Sequence, residues 1–436
     1  MSGGYVVFAG LEQIIQYINS FRFDDDDINY LRSLNHFSEN FLSYLKDFKF
    51  TGDIWSVPEG TACFPNEPLI TVKAPIIEAQ LIETMLLTSI NHQSLIATKA
   101  SRIVSSAKGR PIMEFGARRA HNVDSAVFGS RAAIIGGCVG TSCVYTAKKY
   151  SVLPSGTMAH SFVQSFDSEY EAFKAYAEIY QEDTTLLIDT YDTLESGIKN
   201  AIKVFNEVIV PKGFRPKAVR LDSGDLAYLS KKVREILDNE GFSDCKIVAS
   251  NALDEYIITS LLDEGAKIDS FGVGENLITA KSDPVFGGVY KLVAIQKDKD
   301  IIPKIKVSDN PTKIINPGYK KLYRFYDKTA DKALADVIAL HDESIPENEY
   351  LIFDPESPWK KKYLKNYYVK ELQMQIFKDG KQIYALPTLK EIAEFARKEL
   401  DTFWEEVKRM QNPHKYYVDL SEKLWNLKNE MLVDKK

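Results

Sequence analysis

The chain has 436 residues, 44% of them hydrophobic, with 55 lysines and arginines against 61 aspartates and glutamates, a formal charge of −6. At ~150 residues per domain that is two or three domains, or one large barrel with additions. The acidic balance excludes a nucleic-acid binder acting by bulk charge, and no apolar run reaches the ~18 residues a spanning helix needs.

The opening stretch, MSGGYVVFAGLEQII, lacks a basic region ahead of its short apolar run and is not read as a signal peptide. Helical spacing runs from about Ile28 to Leu45. The acidic run Asp24, Asp25, Asp26 and Asp27 before it reads as a helix start, because no spaced ligand set accompanies it to make a metal site. Gly/Pro punctuation from Phe50 to Pro75 predicts short strands and turns, and Glu78 to Ala107 returns to helical spacing. Cys63, Cys138, Cys143 and Cys245 form no CxxC pair, so neither a structural zinc nor a disulfide scaffold is indicated.

From Pro111 short apolar runs alternate with amphipathic segments such as DLAYLSKKVREILDNEG. The runs are PIMEF, AAIIGG, VLPSG, TTLLIDTY, KAVRLDSG, KIVASN and KIDSFGVG. Buried strands alternating with helices predict a parallel sheet, and so many in series predict a closed α/β barrel over residues 85–300. An open, doubly wound sheet is the alternative. Residues 1–84 and 301–436 are expected to form a flanking α+β domain. Its C-terminal part holds charged, aromatic segments (KKLYRFYDK, PWKKKYLKNYY) and two final helices.

Barrel enzymes carry their reactive groups at the C-terminal ends of the strands. Read in order, PIMEF leads to Gly116, Arg118 and Arg119, AAIIGG to Gly140, Thr141 and Ser142, and VLPSG to Thr157 and His160. LLID ends on Asp189 with Asp192 beyond, and RLDSGD supplies Arg220, Asp222, Ser223 and Asp225. IVAS ends in Ser250 and Asn251, and the last strand runs into Gly272, Val273, Gly274 and Glu275. A functional mouth explains these repeated polar endings better than packing does.

The GVG turn offers backbone N–H groups to a phosphate, or serves a tight turn with close packing. Arg220 can grip a carboxylate or phosphate bidentately, while Asp222 and Asp225 can hold ribose hydroxyls or a Mg²⁺ on a diphosphate. A helix cap with a structural ion pair is the bland alternative. His160 is either a packing residue or a nucleophile toward a phosphoryl group, its imidazole oriented from the Asp189 strand end. His36, His92, His341 and His414 read as structural, and His121, after Arg118 and Arg119, stays open. No strand end carries a Schiff-base lysine, and GxGxxG, P-loop and HExxH motifs are absent.

Six long segments carry a family resemblance: MEFGARRAHNVDSAVFGSRAAIIGG, PSGTMAHSFVQSF, LLIDTYDTLESGI, RLDSGDLAYLSKK, ASNALDE and FGVGENLITAKSDPVFGGVYKLV. With GYVVFAGLE near the start and VDLSEKLW near the end, they cover nearly the whole chain. In them the chain resembles the nicotinate phosphoribosyltransferases, of the type II phosphoribosyltransferase fold. The resemblance implies formation of nicotinate mononucleotide and diphosphate from nicotinate and 5-phosphoribosyl 1-diphosphate, in NAD biosynthesis or salvage. It further implies ATP as co-substrate through a phosphohistidine, Mg²⁺, a cytoplasmic homodimer with shared active sites, and no nucleic-acid or membrane partner.

On the matching motifs, His160 is the phosphorylated histidine and Asp189 its orienting or charge-stabilising partner. Phe115, Arg118, Thr157 and Arg220 fall to nicotinate, and Asp222, Ser250, Gly272, Gly274 and Glu275 to the phosphoribosyl diphosphate. Mg²⁺ ligands stay open between Asp222, Asp225 and the substrate. Nicotinamide-using relatives place an aspartate where Ser142 stands. A neutral serine near Arg118 and Arg220 does not repel a carboxylate, so the acid is expected over the amide. Two departures sustain a second expectation, a catalytically silent relative kept for binding or assembly. Glu275 stands where relatives have threonine, a carboxylate beside a phosphate. The chain also begins at GYVVFAGLE, where relatives carry a further segment with an aromatic residue that reaches the partner subunit's site.

Overall fold

The computed structural model describes residues 4–309 and 314–433. The chain forms two compact units, one of residues 95–284 with 388–394 and the other of the remaining segments. The boundaries expected at 84/85 and 300/301 fall at 94/95 and 284/285. Among the described residues no helix is long and apolar enough to cross a membrane.

The first unit is built on six parallel strands: β1 (Ile112–Glu114), β2 (Gly140–Thr141), β3 (Thr185–Leu187), β4 (Ala218–Leu221), β5 (Lys246–Ala249) and β6 (Ser270–Val273). They pair in the order β2-β1-β6-β5-β4-β3, a curled half-barrel. Ile112, Val219, Leu221, Ile247 and Phe271 are almost wholly buried, as expected of parallel strands covered on both faces. The parallel α/β architecture holds, but the wall is not closed by paired strands. VLPSG contributes only a single bridge, Pro154 to Thr141, because its proline supplies no donor for a ladder.

AAIIGG is not a strand. Its apolar residues end the helix Val123–Ile135, which Asn122 caps by accepting from Ser125 N–H at 2.7 Å, and β2 follows after Gly136 and Gly137. A short apolar run in a buried helix has no periodicity that sets it apart from a buried strand. Asp225 accepts from Tyr228 N–H at 3.0 Å and starts the helix Leu226–Asn239; Asp254 likewise starts Glu255–Asp263. The helix-cap reading of RLDSGD is therefore right for Asp225, and it leaves Asp222 for the site.

In the flanking unit, one four-stranded sheet orders Tyr367–Glu371, Lys320–Asp327, Ala333–Leu340 and Val418–Leu420. Another orders Lys381–Gln382, Met374–Lys378, Asp53–Ser56 and Ile70–Lys73. Phe8, Ile14, Ile54, Leu86, Ile376 and Phe377 centre its core. The acidic run does start a helix: Asp24 and Asp27 form a reciprocal capping box on Asp25–Ser33. The expected single helix to Leu45 is two, because Asn35 takes a left-handed φ of 53° and Ser38 caps a second helix, Glu39–Lys46. Arg324 lies fully buried in this unit. Its side chain donates to Asp336 at 2.8 and 2.6 Å, to the Ala62 carbonyl at 2.7 Å and to Glu399.

Candidate active site

At the C-terminal ends of β3, β4 and β5, register decides which side chains meet. Leu187 pairs with Arg220, and Arg220 with Val248, so Arg220 emerges between the chain ends bearing Asp189 and Ser250. Its Nε donates to Ser250 Oγ at 2.7 Å, Nη1 to Thr157 Oγ1 at 2.7 Å and Nη2 to Asp222 Oδ1 at 2.9 Å. The guanidinium also lies 5.6 Å from the centroid of the Phe115 ring. An arginine has five N–H donors in a planar fork. Three are used here, which leaves one on each terminal nitrogen for a further acceptor such as a carboxylate.

Asp222 accepts from Ser250 Oγ as well as Arg220, and its Oδ2 lies 3.6 Å from His160 Nε2. Burial alone would raise the Asp222 carboxyl, but Arg220, Ser250 and His160 together hold it below the ordinary carboxylate range. A depressed carboxylate adds stability that is present above its unfolded pKa and lost as pH falls through the folded value. The Arg220–Asp222 pair is thus intact at neutral pH and fails only below about pH 4.

His160 opens the short helix His160–Gln164, and its Nδ1 lies 3.1 Å from Thr190 Oγ1. Asp189, expected to orient His160, makes no hydrogen bond or ion pair with it. Its Oδ2 accepts from Asp222 N–H at 2.8 Å and Ser223 Oγ at 2.6 Å. Asp189 therefore braces the backbone that carries Asp222, and Thr190 and Asp222 flank the imidazole. Asp189 Oδ1 is buried with no partner. Among the described residues no group of three or more His, Cys, Asp or Glu is arranged to hold a metal ion.

Arg118 and Arg119 lie in the single turn Ala117–Arg119. Arg118 is exposed, with no partner among the described residues, and Arg119 Nε lies 4.0 Å from Glu275 Oε2. Glu275 thus has its offsetting cation. Ser142 donates its N–H to the Glu114 carbonyl at 2.8 Å and presents a neutral side chain.

Gly272 is buried inside β6, not in a phosphate-facing turn. A Cβ there would come within 2.3 Å of the Phe115 ring, so the missing side chain seats that ring. Gly274 ends the strand ahead of the four-residue helix Glu275–Ile278. Gly272→Ala is accordingly expected to displace Phe115 at about 1–3 kcal/mol of overpacking. The affinity for a planar substrate ring resting on Phe115 should fall several-fold in steady-state assays.

Sequence reasoning missed Thr190 and Glu114. Thr190 carries no signal beyond following Asp189. Glu114 did carry one, being a carboxylate inside the apolar run PIMEF.

A parallel half-barrel whose strand ends gather arginines, a histidine and carboxylates belongs to the enzymes that bind small anionic substrates at a barrel mouth. Family models for the N-terminal domain, the family as a whole and the C-terminal domain of nicotinate phosphoribosyltransferase match residues 1–91, 111–339 and 319–428. The chain belongs to the nicotinate phosphoribosyltransferase family. It is 46% identical to the nicotinate phosphoribosyltransferase of Bacillus subtilis, covering 99% of this chain and 88% of that one. It is 40% identical to one from Mycobacterium tuberculosis, covering 96% and 84%. The crystal structure of human nicotinic acid phosphoribosyltransferase superposes with a TM-score of 0.85 at 26% identity, covering 98% and 93%.

Proposed function

We propose that this chain joins nicotinate to 5-phosphoribosyl 1-diphosphate, giving nicotinate mononucleotide and diphosphate for NAD salvage. The observation that carries the reading is Arg220, with two N–H donors left for a carboxylate, beside the Phe115 ring. The pyridine lies against Phe115 with its carboxylate on Arg220 and Arg118. Its ring nitrogen attacks C1 of the ribose while the C1–O bond breaks, and the electron pair leaves with diphosphate. Asp222 and Asp189 stabilise the cationic character that develops on the ribose. These two carboxylates, one with a buried unpartnered oxygen, also suit a Mg²⁺ held chiefly through substrate oxygens and water. Bound there, Mg²⁺ would neutralise charge on the leaving diphosphate.

ATP acts as co-substrate at His160. With its proton on Nδ1 and donated to Thr190, His160 turns its Nε2 lone pair to the γ-phosphorus of ATP; the γ-phosphoryl group passes to Nε2 as ADP leaves, and water later releases it as phosphate. The enzyme works in the cytoplasm, as a homodimer with shared sites. The test is product formation from phosphoribosyl diphosphate and Mg²⁺ with nicotinate or nicotinamide, each with and without ATP. Nicotinate mononucleotide should form faster with ATP, and the amide product should be scarce. No product from either base, with saturable binding of nicotinate or phosphoribosyl diphosphate retained, would favour the silent-relative reading instead. His160→Ala is expected to abolish ATP hydrolysis stimulated by both other substrates, and retained stimulation would remove His160 from this role.

A further inference from the structure

We infer that Glu114 is a positioning residue for the nicotinate pocket, locking the Arg118 turn and the Ser142 turn into one geometry. This rests on the reading above, in which those two turns face nicotinate.

Glu114 is the last residue of β1 and is fully buried. Its Oε1 accepts from the Gly116 N–H, and the Ala117 N–H bonds the same carboxylate. Both amides belong to the turn that delivers Arg118 and Arg119. Oε2 accepts from Thr141 Oγ1 at 2.6 Å and Ser130 Oγ at 2.9 Å. Thr141 Oγ1 in turn accepts the Cys143 N–H at 2.9 Å, and the Glu114 carbonyl holds the Ser142 N–H at 2.8 Å. Ser142 is thus fixed from both sides by groups that lead back to Glu114.

A packing role does not call for a carboxylate here. Glu114 sits in a strand whose other faces are apolar, and desolvation pushes its carboxyl above the ordinary value despite four donors. An aliphatic residue would fill the strand without that penalty. It would leave two turn amides and two hydroxyls unpaired in a buried place, and the turns would be free to move. A shift of about 1 Å in positioning groups is enough to cost substantial binding or turnover.

The test compares Glu114→Gln, Thr141→Val and the double variant in the full chain, measuring KM for each substrate, kcat and thermal midpoint. Gln keeps the shape and one oxygen but turns an amide nitrogen toward Thr141 and Ser130, leaving the Thr141 hydroxyl proton without its acceptor. Expected are a rise of about tenfold in nicotinate KM, little change in phosphoribosyl diphosphate KM, and a double variant no worse than Glu114→Gln alone. Parallel rises in both KM values with a lowered midpoint, or effects that add, would overturn the proposal in favour of a merely structural tie. If Glu114→Gln fails to fold, Thr141→Val decides alone by the same split of KM values. Arg118→Gln is the control. If it leaves nicotinate KM unmoved, the pocket reading fails and takes the proposal with it. If it acts while Glu114→Gln is silent, only the proposal fails.

Discussion

Arg220→Ala is expected to lower kcat/KM for nicotinate by about 10³-fold, the equivalent of ~4 kcal/mol of transition-state stabilisation. Two losses combine. The substrate carboxylate loses its N–H donors, and Thr157, Ser250 and Asp222 lose the group that holds them in one arrangement. Arg220→Lys is expected to recover little, about tenfold at most, because one ammonium cannot reach three partners and also present a planar pair of donors. The pH dependence moves with it. Arg220 is the strongest influence holding the Asp222 carboxyl down against burial, so its removal raises that pKa. Asp222 then protonates at a higher pH, and the acid limb of kcat/KM shifts upward in the alanine variant. Steady-state rates from pH 4 to 8 measure both effects. A loss below tenfold with an unmoved acid limb would show that nicotinate is held elsewhere.

The strand-end rule brought the site within reach of the sequence, because it needs only to know where buried strands stop. Arg220, Asp222 and Ser250 lie at such stops, Thr157 and His160 follow the single Pro154 bridge, and the structure gathers all five. Their pairing was not legible. Asp189 is the partner the sequence suggests for His160, while the pairing with Asp222 depends on the register of β3 against β4 and on a turn that sends Asp189 toward the Asp222 amide. Neither leaves a mark in the residue pattern. Gly272 misled for a related reason: a glycine two residues before another reads as a phosphate turn, while the ring it accommodates is Phe115, just past the end of the neighbouring strand β1. The helix hidden in AAIIGG and the break at Asn35 are local failures of the same kind, where a run too short for its period, or one residue at positive φ, decides the element.

Arg324→Leu is expected to destabilise the flanking unit by about 3–5 kcal/mol, the range found when one partner of a buried ion pair is removed. Arg324 lies directly opposite Asp336 in the antiparallel pair of strands and binds both of its carboxylate oxygens. Glu399 and the Ala62 carbonyl take one donor each, and the Phe403 and Phe64 rings lie 4.9 and 5.8 Å from the guanidinium. Leucine fills most of the volume but leaves two buried carboxylates with no cation. Burial already raises the Glu399 carboxyl, and Arg324 is the main influence opposing that rise. In the variant the Glu399 carboxyl binds its proton more tightly folded than unfolded, so stability falls as pH rises above about 4. The deficit against the parent chain is therefore small near pH 5 and largest near pH 8. All four tryptophans (Trp55, Trp359, Trp404 and Trp425) lie in this unit, so denaturant midpoints read by their fluorescence report it directly. Adding Asp336→Leu and Glu399→Leu should restore part of the loss by removing the orphaned charges. Recovery stays incomplete because Tyr416, which donates to Asp336 at 2.9 Å, and the Ala62 carbonyl lose their partners. A deficit of the same size at pH 5 and pH 8 would mean that lost packing, not uncompensated charge, is what the arginine prevents.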